Sequence, residues 1–273
     1  MDDTNSPQKF ADSLPRFPRQ PILRWVTTIA LIFFLVGALK SVEFDGQRVM
    51  RGAGRIAQIV DEMFPPKLTR FPKLLEQAVV TLQIASLGTL MGVVASLILG
   101  RYTCRHTSRP WRSFVLRGVV GGIRTIPELI WGLLFVAAFG LGPLAGMLAV
   151  AADTFGFCGR FFTEAFDDIE DRELEGLRSL SVSSSGLFFA MIIPRSFPAL
   201  VHTSLYALER SVRASIVLGL VGAGGIGVEL DVAMRLFRYD EASTIMLIIL
   251  VMVLTIEQIS EWIRVGVRRP IPA

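Results

Sequence analysis

Six long apolar segments are the feature that most constrains what this chain can fold into. A helix needs about 20 mainly apolar residues to cross a bilayer core about 30 Å thick. The segments lie at roughly 25–42, 75–100, 115–139, 144–166, 198–221 and 242–263. The composition agrees, because 52% of the residues are hydrophobic and only 19% are charged. The sequence therefore predicts an all-α polytopic membrane protein with about six transmembrane helices.

The basic residues between these segments predict an orientation, because lysine and arginine concentrate in cytosolic loops. They cluster before the first segment, between the second and third, and after the last. These residues are Lys9, Arg16, Arg19, Arg24, Arg101, Arg105, Arg109, Arg112, Arg117, Arg264, Arg268 and Arg269. With six spans all three places fall on one side, so we expect both termini in the cytosol. This distribution also argues against a nucleic-acid site.

The stretch 43–74 fits the orientation less well, because it is basic yet falls on the outer side. Between residues 48 and 64 it carries apolar residues at helical spacing: Val49, Ile56, Ile59, Val60 and Met63. This pattern predicts an amphipathic helix that lies in the membrane interface.

Charged residues inside the apolar segments are expensive, at about 2.5–3.5 kcal/mol each on insertion scales, so they usually pair or line an aqueous path. The third segment contains Arg124 and Glu128, and the fifth contains Glu209, Arg210 and Arg213. In each segment an acid and a base lie four residues apart, which places them on one face of a helix.

Two hypotheses for these five residues stay open. They line the translocation pathway or its gate, or they are ion pairs that only neutralise each other. An arginine surplus in the fifth segment would suit a small oxyanion, because the guanidinium fork matches phosphate or phosphonate oxygens. Asp153, Arg160 and Glu164 in the fourth segment receive no role.

The string GAGGIG at 222–227 matches the dinucleotide fingerprint G-x-G-x-x-G. In a nucleotide-binding fold these glycines follow a strand, and an acidic residue comes about 20 positions later. Here they follow an apolar helix, and 246–250 are apolar. We expect Gly222, Gly224, Gly225 and Gly227 to form a tight turn near an outer mouth of the protein.

The connection between the fourth and fifth segments is long and polar, and leucines at Leu174, Leu177 and Leu180 give it an apolar stripe at helical spacing. A solvated connector is one interpretation. The other is a short helix that docks into a groove of a partner protein.

This connection resembles the signature of ABC importer permeases, which is E-A-A, three residues, G, nine residues and I-x-L-P. Here it runs Glu175-Gly176-Leu177, three residues, Ser181, nine residues and Met191-Ile192-Ile193-Pro194. Gly176 replaces the first alanine, and Ser181 replaces the glycine. Over 75–264 the chain resembles the phosphonate-type (PhnE-like) branch, with "IRTIPELIWGLLFV" at 123–136, "FGLGPLAGMLAV" at 139–150, "SVRASIVLGLVGAGGIGVEL" at 211–230 and "MRLFRYDEASTIMLIIL" at 234–250.

The resemblance implies a type I ABC importer in a bacterial plasma (inner) membrane. It would contain a homodimer of this permease, a cytosolic ABC ATPase dimer and an extracytoplasmic binding protein for phosphonate, phosphate or phosphite. ATP and Mg would bind the ATPase, and this chain would carry no catalytic residue, metal or cofactor. The coupling residues would be Leu174, Glu175, Gly176, Leu177, Ser181 and Pro194. A permease for another small solute, a channel and a secondary transporter remain alternatives.

The predicted organisation follows from these observations. A cytosolic tail at 1–24 precedes the first transmembrane helix and an extracytoplasmic segment at 25–74. The permease core occupies 75–264, with the coupling loop at 167–194, and a second cytosolic tail occupies 265–273.

Cysteine labelling tests the orientation in a chain whose own cysteines have been replaced. A cysteine introduced at Leu141 should react with an impermeant maleimide from outside, and one at Ser184 only from the cytosolic side. Labelling of the second site from outside would overturn the predicted topology.

Overall fold

A computed structural model describes residues 21–41, 45–179 and 182–268, and the regular structure in these ranges is helical. The chain divides into two compact units, the first ending at Gln58 and the second beginning at Ile59. The helices are α1 (Pro21–Ser41), α2 (Gly46–Glu62), α3 (Phe71–Thr103), α4 (Pro110–Thr125), α5 (Glu128–Phe139), α6 (Pro143–Asp167), α7 (Asp171–Ser179), α8 (Ser184–Leu187), α9 (Ile193–Gly219), α10 (Ile226–Arg235) and α11 (Tyr239–Arg268). A π-helical turn, Phe188–Ile192, joins α8 to α9.

Five stretches are long and apolar enough to cross a membrane: Arg24–Ser41, Phe71–Thr103, Pro143–Asp167, Ser184–Gly219 and Tyr239–Val267. Helices α4 and α5 together make a sixth candidate, but they meet at an angle of 86°. The described helices thus confirm the predicted fold class. The amphipathic helix predicted within 48–64 is also present as α2, and none of its residues is buried.

The third predicted span, 115–139, is wrong as a single helix. Ile126 has extended backbone angles and Pro127 follows it. Proline disfavours the helical conformation of the residue before it and has no N–H to donate, so α4 ends there. Arg124 and Glu128 therefore lie on opposite sides of a break and do not share a helical face.

Helices α3 and α6 approach each other closely along a row of small residues on α3. Gly88, Gly92, Ser96 and Gly100 are spaced four apart and are all buried. A Cβ atom at Gly92 would lie 2.6 Å from the Cβ of Thr154, and one at Gly88 would lie 2.7 Å from the carbonyl oxygen of Met147. Small residues allow such contact between membrane helices, where van der Waals packing drives association.

The glycine string forms the turn between α9 and α10, so it follows a helix. Gly222, Gly224 and Gly225 have φ angles of +87°, +88° and +77°, which side chains with a Cβ rarely adopt. The backbone N–H of Ile226 donates to Thr81 Oγ1 of α3 at 2.8 Å. The predicted tight turn is confirmed for these three glycines, whereas Gly227 lies in the first turn of α10. The place of the turn at an outer mouth stays a prediction.

The α3–α6 contact predicts a position-dependent effect of added volume. Gly92→Val should lower the free energy of unfolding by about 2 kcal/mol or more, because overpacking forces the two helices apart. The measurement is thermal unfolding of the purified chain in detergent. Gly118→Val is the matched control, since a Cβ there meets nothing within 4 Å. Equal losses in the two variants would contradict the close-packing role.

Candidate functional site

Arg210 lies between two carboxylates of neighbouring helices. Its Nη2 atom is 2.9 Å from Asp153 Oδ1 on α6 and 3.6 Å from Glu128 Oε2 at the start of α5. The guanidinium also lies over the ring of Phe157, 5.4 Å from its centre. Asp153 by itself is close enough to compensate the charge of Arg210.

Asp153 is the member of this cluster to which the sequence analysis gave no role. Its side chain is only 11% exposed, and it lies one residue before Thr154, which packs against Gly92. An acid within an apolar segment was the available signal. Its partner is 57 residues away on another helix, and no local spacing rule reaches that far.

Glu209 and Arg213 do not pair with each other, so the ion-pair hypothesis for these two residues is wrong in its partners. Glu209 forms an ion pair with Arg264 of α11. Arg213 Nη1 lies 2.8 Å from Glu257 Oε1, also on α11. Both residues face α11, and each finds an opposite charge there, so neither needs the other. The arginine surplus of the fifth segment therefore disappears in the folded chain.

Arg124 differs from the other arginines inside the spans. It is exposed at the end of α4, next to the break. Its guanidinium lies 5.6 Å from the centre of the Phe161 ring. Among the described residues no carboxylate lies within ion-pair distance of it. Because an unpaired charge is costly in lipid, this face of the helix needs water or polar groups around it.

The segment that resembles the ABC importer signature, 167–194, folds onto its own chain in its described part. Leu174 of α7 is fully buried, in a cluster with Phe166, Phe188 and Ile192. Its predicted place in a partner's groove is therefore wrong, because the connection turns back and fills the core between the ends of α6 and α9. Glu175, Gly176 and Pro194 are exposed. Leu180, Ser181 and the side chain of Leu177 lie outside the described residues.

A two-pronged ion pair ties α7 to α9. Arg195 Nε lies 3.0 Å from Glu173 Oε2, and Arg195 Nη2 lies 3.1 Å from Glu173 Oε1. Such bidentate pairs fix direction as well as distance. The sequence analysis missed both residues, which are 22 positions apart and have no motif between them that signals the contact.

A second ionic cluster holds the beginning of α3 to α10 and α11. Arg70 Nη2 lies 2.9 Å from Glu229 Oε2, and Arg70 Nη1 lies 3.2 Å from Glu241 Oε2. The hydrogen bond to Glu241 and the charge of Glu229 raise the pKa of Arg70. Lys73 Nζ adds a contact of 3.2 Å to Glu229 Oε1. This cluster fastens α10, which follows the glycine turn, to the spans around it.

The comparisons place the chain among transport proteins. The model of the family described as "Binding-protein-dependent transport system inner membrane component" matches residues 88–269. The chain belongs to this family. It is 32% identical to the phosphite transport system permease protein PtxC of Stutzerimonas stutzeri, over 92% of this chain and 96% of that protein. It is 36% identical to the phosphate-import permease protein PhnE of Mycolicibacterium smegmatis, over 76% of this chain and 39% of that protein.

Solved structures agree on the fold. An inward-facing MetNI methionine ABC transporter superposes with a TM-score of 0.67 at 20% identity, over 74% of this chain and all of the matched chain. A bacterial ABC transporter involved in alginate import gives 0.58 at 16% identity, over 89% and 98% of the two chains. By its family and its relatives, the chain is a multi-pass permease subunit of the ABC importer type, a class in which a separate ATPase hydrolyses ATP. Membership of this family implies an ATPase and a substrate-binding protein as partners.

The Arg210 cluster predicts a stability effect that differs from that of Arg213. Arg210→Gln leaves Asp153 buried without its partner, which should cost about 3–5 kcal/mol of unfolding free energy. Asp153→Asn combined with Arg210→Gln should recover much of that loss. Arg213→Gln is the control, because its pair with Glu257 is nearly half exposed and should contribute at most about 1 kcal/mol. Thermal unfolding in detergent would contradict the assignment if both arginine variants lost the same stability.

Proposed function

We propose that this chain forms the translocation path of an ATP-driven importer for a phosphorus oxyanion, namely phosphite, phosphonate or phosphate. Its relatives in Stutzerimonas stutzeri and Mycolicibacterium smegmatis carry phosphite and phosphate in their names. The observation that carries the substrate class on this chain is the guanidinium of Arg124, which has no ion-pair partner among the described residues. A guanidinium fork matches the oxygens of phosphate and phosphonate and keeps its charge at any physiological pH.

The ion-pair geometry supports Arg124 over the other arginines as the contact for the passing ion. Arg210 lies beside two acids, and Arg213 lies beside Glu257. An oxyanion at either of them would have to displace a carboxylate or tolerate one close by. Arg124 requires no such displacement. A single exposed arginine is also a weak site, which suits transport, since tight binding would hold the ion in the path.

The quaternary arrangement in this proposal is a homodimer with both termini of each copy in the cytosol. The exposed residues of α4 and α5 include Arg124, Ile130 and Leu134, which in this proposal form one side of the protein. Lipid on all sides would leave the guanidinium unsolvated. Two copies that face each other across this side would enclose an aqueous path and bring two arginines to it.

The coupling role in this proposal falls to the exposed surface of α7, with Glu175 and Gly176 toward the ATPase. Because Leu174 is buried in the chain's own core, the ATPase would press on α7 from outside and not grip its leucine. The bidentate pair of Glu173 and Arg195 would then pass the displacement of α7 to α9.

Uptake measurements test the proposed function directly. Proteoliposomes with the permease, its ATPase and its binding protein should accumulate labelled phosphite, phosphate or methylphosphonate only with ATP. Arg124→Gln should reduce uptake about tenfold or more, the loss expected for a charged hydrogen bond, and Arg124→Lys should retain part of it. Arg160→Gln is the control, since that exposed arginine pairs with Glu164 on the same helix.

Three outcomes would count against parts of this function. ATP-independent uptake would favour a channel or a secondary transporter. ATP-dependent uptake of an unrelated solute, with none of a phosphorus oxyanion, would favour a permease for another cargo. Full phosphate uptake by Arg124→Gln would remove Arg124 from the path.

The coupling link has its own test, because a charge swap preserves the pair. Glu173→Arg or Arg195→Glu alone should lower the amount of substrate imported per ATP hydrolysed, since like charges then separate α7 from α9. The double variant with both changes should restore the ratio. The same swap at Arg160 and Glu164 serves as control, because that pair joins no two helices. An unchanged ratio in the single variants would show that the link transmits nothing.

A further inference from the structure

The stretch from the end of α3 through α4 is strongly basic and contains no acidic residue. From Arg101 to Pro127 the sequence contains six arginines and no aspartate or glutamate. Since α3 and α4 both belong to membrane-crossing stretches, the residues that join them lie at a membrane surface. Arg124 lies at the other end of α4, and Asp167 and Asp171 contact this surface at Arg105 N, Arg117 and His106. The surface nevertheless carries more basic than acidic residues.

A crevice of about 300 Å³ opens in this connection, lined by Arg105, Ser108, Pro110, Ser113, Phe114 and Arg117. Arg117 already has partners in the chain, because its Nη2 donates to Thr103 O at 2.6 Å and lies 2.6 Å from Asp167 Oδ2. The backbone N–H of Arg105 donates to Asp167 Oδ1 at 2.9 Å, and its side-chain Nε donates to the ring nitrogen Nε2 of His106 at 3.3 Å. Within the described ranges its guanidinium has no ion pair with a carboxylate, so its Nη atoms are available to a ligand.

Two more arginines are chain neighbours of residues that line the crevice, Arg109 between Ser108 and Pro110 and Arg112 before Ser113. Neither has an acidic partner in the described part of the chain. Arg112 stacks on the ring of Tyr102, 4.3 Å from its centre, which leaves the edge of its guanidinium open. Arg109 is exposed directly before α4, and no side chain caps that helix. The first N–H groups of a helix have no partner within it and add positive potential. All of these donors suit an anion such as a phosphate group.

The surface beyond the crevice is apolar. Trp111 and Phe114 are 67% and 80% exposed, and Val115 and Val119 continue this exposed surface along α4. Aromatic residues concentrate where a bilayer meets water. A ligand that fits both parts of the surface has a phosphate at one end and hydrocarbon at the other. A free oxyanion would use the arginines and leave the aromatic surface without a role.

We propose that this crevice binds the phosphate of an anionic phospholipid, with Arg105 as its main donor and Arg109 and Arg112 at its rim. The acyl chains lie along Phe114 and Val115. Basic pockets between membrane helices bind the head groups of anionic lipids by the same chemistry. Assignment of the lipid to the inner leaflet rests on the proposed orientation, whereas the chemistry of the site does not.

Native mass spectrometry of the full chain, released from nanodiscs of phosphatidylglycerol and phosphatidylcholine, tests this site. The wild type should retain phosphatidylglycerol in preference to phosphatidylcholine. Arg105→Gln with Arg112→Gln should weaken that retention about tenfold or more, because each basic residue near an anionic lipid contributes to its binding. Arg160→Gln with Arg235→Gln removes two exposed arginines elsewhere and should leave retention unchanged. Thermal unfolding of each variant separates loss of lipid from loss of fold.

Two results would overturn the site. Equal retention of both lipids by the wild type would mean that the crevice does not select a charged head group. Displacement of the lipid by millimolar inorganic phosphate, with Phe114→Ser unaffected in lipid retention, would indicate a site for a free oxyanion. Because the assay measures binding alone, a failure of uptake would sink the transport proposal and leave this one standing.

Discussion

The close contact between α3 and α6 is the constraint on which the rest of the fold depends. Gly88, Gly92, Ser96 and Gly100 let the two backbones approach, and α6 then contacts α4, α5 and α9 as well. Thr154 sits against Gly92, and this contact fixes the helical rotation of α6. The neighbouring Asp153 is thereby directed toward Arg210. A packing rule for small residues thus determines where the charges of the protein meet.

The charged residues of the spans differ in whether they have a partner of opposite charge. Glu209, Arg210 and Arg213 each have an opposite charge on another helix. A buried charge that loses its partner is costly, so these residues hold α9 to α6 and α11. Arg124 is exposed at a helix break and lacks such a partner among the described residues. The other two arginines already have carboxylate partners, so Arg124 is the one proposed to contact the transported ion.

The sequence was sufficient for five of the six predicted spans, because the length of an apolar segment is a local property; the other is a pair of helices bent by 86°. It was also sufficient for the tight turn at Gly222, Gly224 and Gly225. It failed where one helix meets another. Spacing four residues apart suggested the pair of Glu209 and Arg213, yet an arginine reaches across to α11 as easily as along its own helix. The prediction for Leu174 was wrong for the same reason, since an apolar stripe does not show whether its own chain or a partner covers it. Pro127 was a signal for the end of a helix, but the prediction of a single span at 115–139 relied on the hydropathy of the whole segment.

The contacts on the proposed coupling route follow one another without a gap from α7 through α9 to the break between α4 and α5. Leu174 sits in a close-packed core with Phe188 and Ile192 of the π-helical turn, and such cores transmit displacement because they compress little. Helix α9 follows that turn without interruption and carries Arg210. Arg210 in turn contacts Glu128, the first residue of α5. On this route a push on α7 arrives at the break between α4 and α5, beside Arg124. The same movement that opens the path would then also move the one guanidinium proposed to meet the ion.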